Sequence, residues 1–160
     1  MNTETSMSVI EGTDHPAASF ALDENSVLAR NKAILLAALA QRGASRAAVT
    51  YVGSGDSGAV DIVTFESAEG AVIDESTPLT VFAQRSQFQD GEWLQTIVEE
   101  EVPIEQALRD FAEEAIDLVH DGWEDGEGAS GSIIFDSETA TVRIEHMAYF
   151  TDSDYVETAL

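Results

Sequence analysis

Cysteine is absent from this sequence, lysine occurs once, at position 32, and no apolar run approaches the length of a membrane span. The first absence excludes disulfide scaffolds, thiolate metal sites and cysteine nucleophiles. The second leaves 7 basic residues against 31 acidic ones, a formal charge of −24 at pH 7. Charge of that sign opposes direct binding to nucleic acid or to an anionic membrane, so the natural partners are expected to be cationic. The third excludes a membrane-spanning helix. Only 3 prolines and 11 glycines occur in 160 residues, which removes collagen-like and linker readings, and 44% hydrophobic residues suffice for the core of a single domain. The opening Met-Asn-Thr-Glu carries neither the basic nor the apolar region of a signal peptide, so a soluble, cytoplasmic protein is expected.

Along the chain, residues 1–23 show no sustained period and read as a flexible N-terminal arm, leaving 24–160 as one domain. From Asp23 to Arg42 the apolar residues Val27, Leu28, Ile34, Leu35, Ala38 and Leu39 recur at helical spacing, with Asp23 or Asn25 as the expected cap and Gly43 as the stop. Ala47, Val49 and Tyr51 then lead through Gly53-Ser-Gly-Asp-Ser-Gly58 to Val60, Ile62, Val63 and Phe65, the pattern of a β-hairpin whose glycines take positive φ. Glu69-Gly70 marks a turn, and Leu79, Val81 and Phe82 a further strand. Residues 87–101, with Trp93, Leu94, Ile97 and Val98, are read as a short amphipathic helix. Pro103 opens a second long helix whose buried face is Ile104, Leu108, Phe111, Ala115, Leu118 and Val119, and Gly122 stops it. Ser132 to Phe135 and Thr141 to His146 read as two strands around the turn Asp136-Ser-Glu-Thr139. Helices and strands in this segregated order predict an α+β fold, an antiparallel sheet with two main helices packed on one face.

The acid is not evenly spread. Residues 90–128 contain 14 acids and a single base, Arg109, so more than half of the net charge lies there. Asp110, Glu113, Asp117 and Asp121 follow at helical spacings of three or four and form one stripe away from the apolar face, broadened by Glu114. Like charges so placed destabilise a helix by about 0.2–0.5 kcal/mol per pair, a strain that a cationic partner relieves. Carboxylates about 5–6 Å apart at the Cβ match the several-ångström repeat of phosphates along a nucleic-acid strand. The competing reading is a solvated face in a protein kept soluble by acid, as in a high-salt cytosol. Residues 1–45 carry a net charge of only −2, which argues against acid spread evenly over the whole surface.

Other chemistry is weaker. Gly55-Asp56-Ser57-Gly58 matches the nucleophile tetrapeptide of trypsin-like proteases, but the only upstream histidine, His15, falls in the arm, and 160 residues without cysteine do not supply the double barrel. A tight hairpin loop explains the tetrapeptide better. The stretch from Asp121 has acids at the first and fifth places of a calcium loop and Gly126 at the sixth, yet Trp123 stands at the third and Ser132 at the twelfth, where oxygen ligands belong. His120, near a helix C-terminus, is placed to favour its charged form, and His146 has Glu145 beside it as a candidate partner. No spacing implies zinc, another metal or a cofactor.

Taken together, Tyr51-Val-Gly-Ser-Gly-Asp-Ser-Gly, the segment from His120-Asp-Gly-Trp-Glu to Gly128 and Gly131, and Ile144-Glu-His146 with Tyr149 to Tyr155 resemble a family of small, acidic bacterial proteins, a domain of unknown function, over about residues 46–160. Such proteins are often carried on plasmids and phages. The resemblance implies that context and transfers no catalytic residue or cofactor. The expectation is a non-enzymatic, anti-CRISPR-like inhibitor that mimics nucleic acid and occupies a basic nucleic-acid-binding protein or complex, a CRISPR effector or nuclease. Its contact residues are expected to be Glu99, Glu100, Glu101, Glu105, Asp110, Glu113, Glu114, Asp117, Asp121, Glu124, Asp125 and Glu127. The alternative is a salt-adapted housekeeping domain or a small enzyme using Asp56, Ser57 or His146.

Overall fold

The computed structural model describes residues 22–55, 57–67, 70, 72–150 and 155–159. The expected arm up to residue 21, with His15, and the calls on Asp56 and Glu69 lie outside the described residues. The elements run α1 (Val27–Gln41), β1 (Ala44–Ser54), β2 (Ser57–Ser67), β3 (Leu79–Gln89), β4 (Glu92–Val102), α2 (Ile104–Val119), β5 (Ala129–Asp136) and β6 (Thr141–Ala148). The fold is α+β, with an antiparallel sheet in the order β2-β1-β5-β6 and a separate two-stranded sheet, β3-β4.

α2 forms where the apolar period is one-sided, whereas α1 is apolar around most of its circumference. α1 buries Leu28, Leu35, Leu36, Ala38 and Leu39, and α2 buries Ile104, Ala107, Leu108, Phe111, Ala112, Ala115 and Ile116. These side chains meet Val49, Tyr51, Ile133 and Phe135 of the sheet in one core, in which the Phe111 and Phe135 rings stand edge to face at 5.4 Å. Burying each such large side chain contributes about 1.5–3 kcal/mol. Along β6 the alternation is clean: Val142, Ile144 and His146 are half-buried, and Arg143 and Glu145 are exposed.

Three local expectations change. Ser26, not Asp23 or Asn25, caps α1: its Oγ accepts from the Ala29 amide at 3.1 Å, while Asp23 Oδ1 accepts from the Asn25 amide in the turn before it. In the β1-β2 hairpin Ser54 pairs with Ser57, and of the three glycines only Gly55 has positive φ. Gly53 and Gly58 lie within the strands because the Trp123 ring lies on them, leaving no room for a Cβ.

Residues 87–101 are not a helix. Strands β3 and β4 pair without a register break from Leu79↔Val102 to Gln89↔Glu92, and Asp90 and Gly91, both at positive φ, make the two-residue turn. Trp93 faces Phe88 across this ribbon with ring centroids 5.3 Å apart. The base of the ribbon, at Leu79 and Val81, joins the core, while the distal part, residues 84–99, is exposed throughout.

Candidate partner-binding surface

α2 is strongly two-sided, and its outward line consists of Gln106, Asp110, Glu113, Glu114 and Asp117, all exposed. Asp110, Glu113 and Asp117 succeed one another by three and four residues, one line along the helix. Asp110 accepts from Gln106 Nε2 at 2.8 Å, and Glu105 pairs with Arg109 at 2.5 Å. Arg109 in turn donates through Nε to the Asp61 carbonyl on β2 at 3.1 Å, so one end of the line is anchored to the sheet. At the other end Asp117 accepts from the Trp123 indole N–H at 3.1 Å.

Between α2 and the base of the β3-β4 ribbon runs a groove of about 490 Å³. Val81, Ala107 and Phe111 are among its apolar lining, and Asp110, Glu113, Glu114, Glu100 and Arg85 are its charged lining. Arg85 and Glu100 form an ion pair. Partial burial, and then the Asp110 and Glu113 carboxylates, push the Glu114 carboxyl above its ordinary value of 4.5. The crowding of negative charge is therefore felt at a specific side chain.

The other acids expected at the contact lie elsewhere. Glu99 and Glu101 alternate with Glu100 on β4 and occupy the opposite face of the ribbon from the groove. Asp121 is exposed beyond the helix end, and Glu124, Asp125 and Glu127 sit in the turns between α2 and β5, where Asp125 donates its amide to Gly122 and receives the Gly128 amide on its carbonyl. The twelve residues thus divide among a helix line, a groove, a loop and the far side of a ribbon.

A second cluster escaped the sequence reading. The Tyr51 hydroxyl, on a side chain 2% exposed, shares a hydrogen bond of 2.6 Å with His146 Nδ1. The His146 ring stacks on His120 at 3.8 Å with 7° between the planes, and Trp123 meets Tyr51 edge to face at 5.2 Å. Gly131 lacks a side chain where a Cβ would come within 2.6 Å of the Tyr51 hydroxyl. Burial pushes Tyr51 up to about 12 and pushes both histidines below 6.5, His146 further through the His120 charge. For His120 desolvation therefore outweighs the helix C-terminus expected to favour its charged form. His146 takes Tyr51 as its partner rather than Glu145, whose carboxylate pairs with Arg143 at 3.3 Å on the exposed face of β6. At neutral pH the cluster presents neutral imidazoles and a neutral phenol, which suits it to locking the end of α2 onto the sheet.

Ser57 begins β2 and is exposed. In the acid-rich loop Trp123 turns inward at the place a calcium ligand would need, and among the described residues no three His, Asp or Glu side chains group as a metal site would. No helix among the described residues is long and apolar enough to cross a membrane.

A family of unknown function, DUF6878, matches residues 27–160, from the first residue of α1 through both sheets. The chain belongs to DUF6878. The match takes in α1 as well as the segment after residue 46. No curated protein and no solved structure matches the chain. For this member of DUF6878, the roles of side chains rest on geometry and charge.

Proposed function

We propose that the protein is a non-catalytic acidic binding protein that occupies a basic, nucleic-acid-binding surface of another protein, with the outer line of α2 as the contact. The observation that carries this reading is the placement of Asp110 and Glu113 both on the exposed line of α2 and in the lining of the acidic groove, where Glu114 feels their charge. Carboxylates held along a packed helix present a fixed row, as phosphates on a strand do, and lose less freedom on binding than the same acids on loops. A cation in the row or groove relieves the repulsion already present. With the mobile-element context of the resemblance, the partner class is a nuclease or a CRISPR effector, and the activity an anti-CRISPR-like inhibition by nucleic-acid mimicry. Steering by charge of this size gives fast association and strong salt dependence.

The test is affinity capture of the tagged protein from a bacterial lysate at low salt, with stepwise salt elution and mass spectrometry. One nucleic-acid-binding protein or complex released at moderate salt is the expected result, lost when Asp110→Lys and Glu113→Lys are combined. Capture unchanged by that double reversal, or only a diffuse set of basic proteins, would overturn the reading. Asp117 is unsuitable for the reversal because it also holds Trp123.

A further inference from the structure

Four consecutive residues of β3, Phe82 to Arg85, line the acidic groove, so it runs along the outer edge of the strand as well as one of its faces. Only part of that edge is taken. The Asn31 side chain bonds both the amide and the carbonyl of Phe82, so these two groups point away from β4. Outward groups recur at every second residue of an antiparallel strand, and the β3-β4 register is unbroken, so those of Gln84 and Ser86 point the same way. Among the described residues β3 pairs with no strand but β4, and the Gln84 carbonyl receives only the guanidinium of the adjacent Arg85, at 3.3 Å. Asn31 thus stands where a neighbouring strand would begin, and the edge beyond it is open.

We propose that the groove takes an extended basic segment of the partner protein, which adds to β3 beside Gln84 and Ser86 as a further strand and turns every second side chain towards Asp110, Glu113 and Glu114. This rests on the reading of α2 as the contact for a basic partner and names the part of that partner it takes. Two independent features select the occupant. Open backbone groups call for an extended chain, because the groups of a helix are already paired among themselves. Charge then selects its side chains. Arg85 is neutralised by Glu100, which leaves the three α2 carboxylates as a negative wall. Val81, Ala107 and Phe111 offer apolar surface to the stems of arginine or lysine. β3 itself carries no acid, so nothing on the edge discriminates against an incoming strand. An acidic segment, a second copy of this chain included, is repelled by the wall.

The probe is a capped hexapeptide alternating arginine and valine, titrated into the full chain by calorimetry at low salt. Saturable one-to-one binding is expected, weakened at least tenfold when the peptide amides are N-methylated, a change that keeps every charge and removes the strand's donors. Hydrogen exchange at the Gln84 and Ser86 amides should slow in the complex, while the amides of Gln95 and Ile97, directly opposite on the far edge of β4, stay as they were. Gln84→Pro removes an outward donor without touching a carboxylate or a bond to β4, and should weaken the peptide as methylation does. Circular dichroism confirms that this variant folds, and the methylated peptide makes the same test on the unaltered protein. No binding, equal affinity for the native and methylated peptides, or unchanged exchange at Gln84 and Ser86 would overturn the proposal. So would binding that survives the Asp110→Lys, Glu113→Lys reversal. The lysate capture decides the α2 reading separately, through its own dependence on Asp110 and Glu113.

Discussion

Asn31 of α1 hydrogen-bonds both backbone polar groups of Phe82, donating through Nδ2 to its carbonyl at 2.8 Å and accepting from its amide on Oδ1 at 2.9 Å. One side-chain amide thus plays the part of a neighbouring strand at the edge of β3. Asn31 is also the one buried polar residue among the described side chains, and with the Arg30 guanidinium over the Phe82 ring at 5.6 Å it fastens the ribbon to the core. Asn31→Leu leaves the Phe82 amide and carbonyl without their partner, so a loss of about 1–3 kcal/mol is expected. Denaturant unfolding measures it, and hydrogen exchange should speed up at Phe82 more than at Val49 in β1. Equal acceleration at both amides would show that Asn31 does not tether the ribbon specifically.

The stacked histidines give the fold an acid-sensitive point. Both folded-state values lie below 6.5, so the unfolded chain binds more protons as pH falls through that range, and the stability held above pH 6.5 is lost on the way down through the folded values. The acids packed nearest act differently: Asp117 reaches the cluster only through Trp123, and Glu145 turns to the other face of the sheet. His120→Phe keeps an aromatic ring on His146 and removes one titration. Melting temperatures of wild type and variant should run parallel above pH 7 and diverge below 6.5, the wild type falling faster. Profiles that stay parallel to pH 5 would show that the stacked pair does not govern the acid limb.

Trp123 links the acidic helix to the sheet, and two strand glycines make room for it. A Cβ on Gly58 would come within 2.5 Å of the indole Cη2 and 2.8 Å of Cζ3. Gly58→Ala therefore displaces the ring, breaks its bond to Asp117 and loosens its contact with Tyr51, for about 1–3 kcal/mol of overpacking. The fluorescence of Trp123, a buried indole, should shift to the red. Unchanged emission and melting would mean that the hairpin yields instead of the ring.

These cases separate what the sequence makes legible from what it hides. α2 and β6 follow from one-sided patterning, Ile104, Leu108 and Phe111 on the one and Val142, Ile144 and His146 on the other, while α1 and β5 follow from consecutive apolar runs, Ile34 to Leu36 and Ile133 to Phe135. The ribbon misleads because its strands are apolar on both faces. Trp93 and Leu94 are neighbours, as are Ile97 and Val98, and that pairing imitates a helical period where a one-sided strand would alternate. Asp90-Gly91, a strong two-residue hairpin signal, was the available clue. The acid line on α2 is legible because helical spacing alone sets it. The Tyr51–His146 bond is not, since its partners are 95 residues apart and the adjacent Glu145 is the obvious but wrong companion.

The charge row itself should limit stability in the free protein. Glu114 has a folded-state value above 4.5, so the stability it contributes is present at acid pH and lost as pH rises through that value. At neutral pH Glu114 is ionised in a partly desolvated place beside Asp110 and Glu113, and Glu114→Gln removes one of three like charges. Solvent screening keeps the gain to a few tenths of a kcal/mol, about the size of one helical like-charge pair. It should appear at pH 7 in low salt, shrink in molar salt and vanish below pH 4. If α2 meets a basic surface as proposed, the same substitution that steadies the free protein weakens its hold on the partner. Thermal melts and low-salt capture on the one variant then move in opposite directions. A change in the melts alone would mean that Glu114 strains the helix without serving the contact.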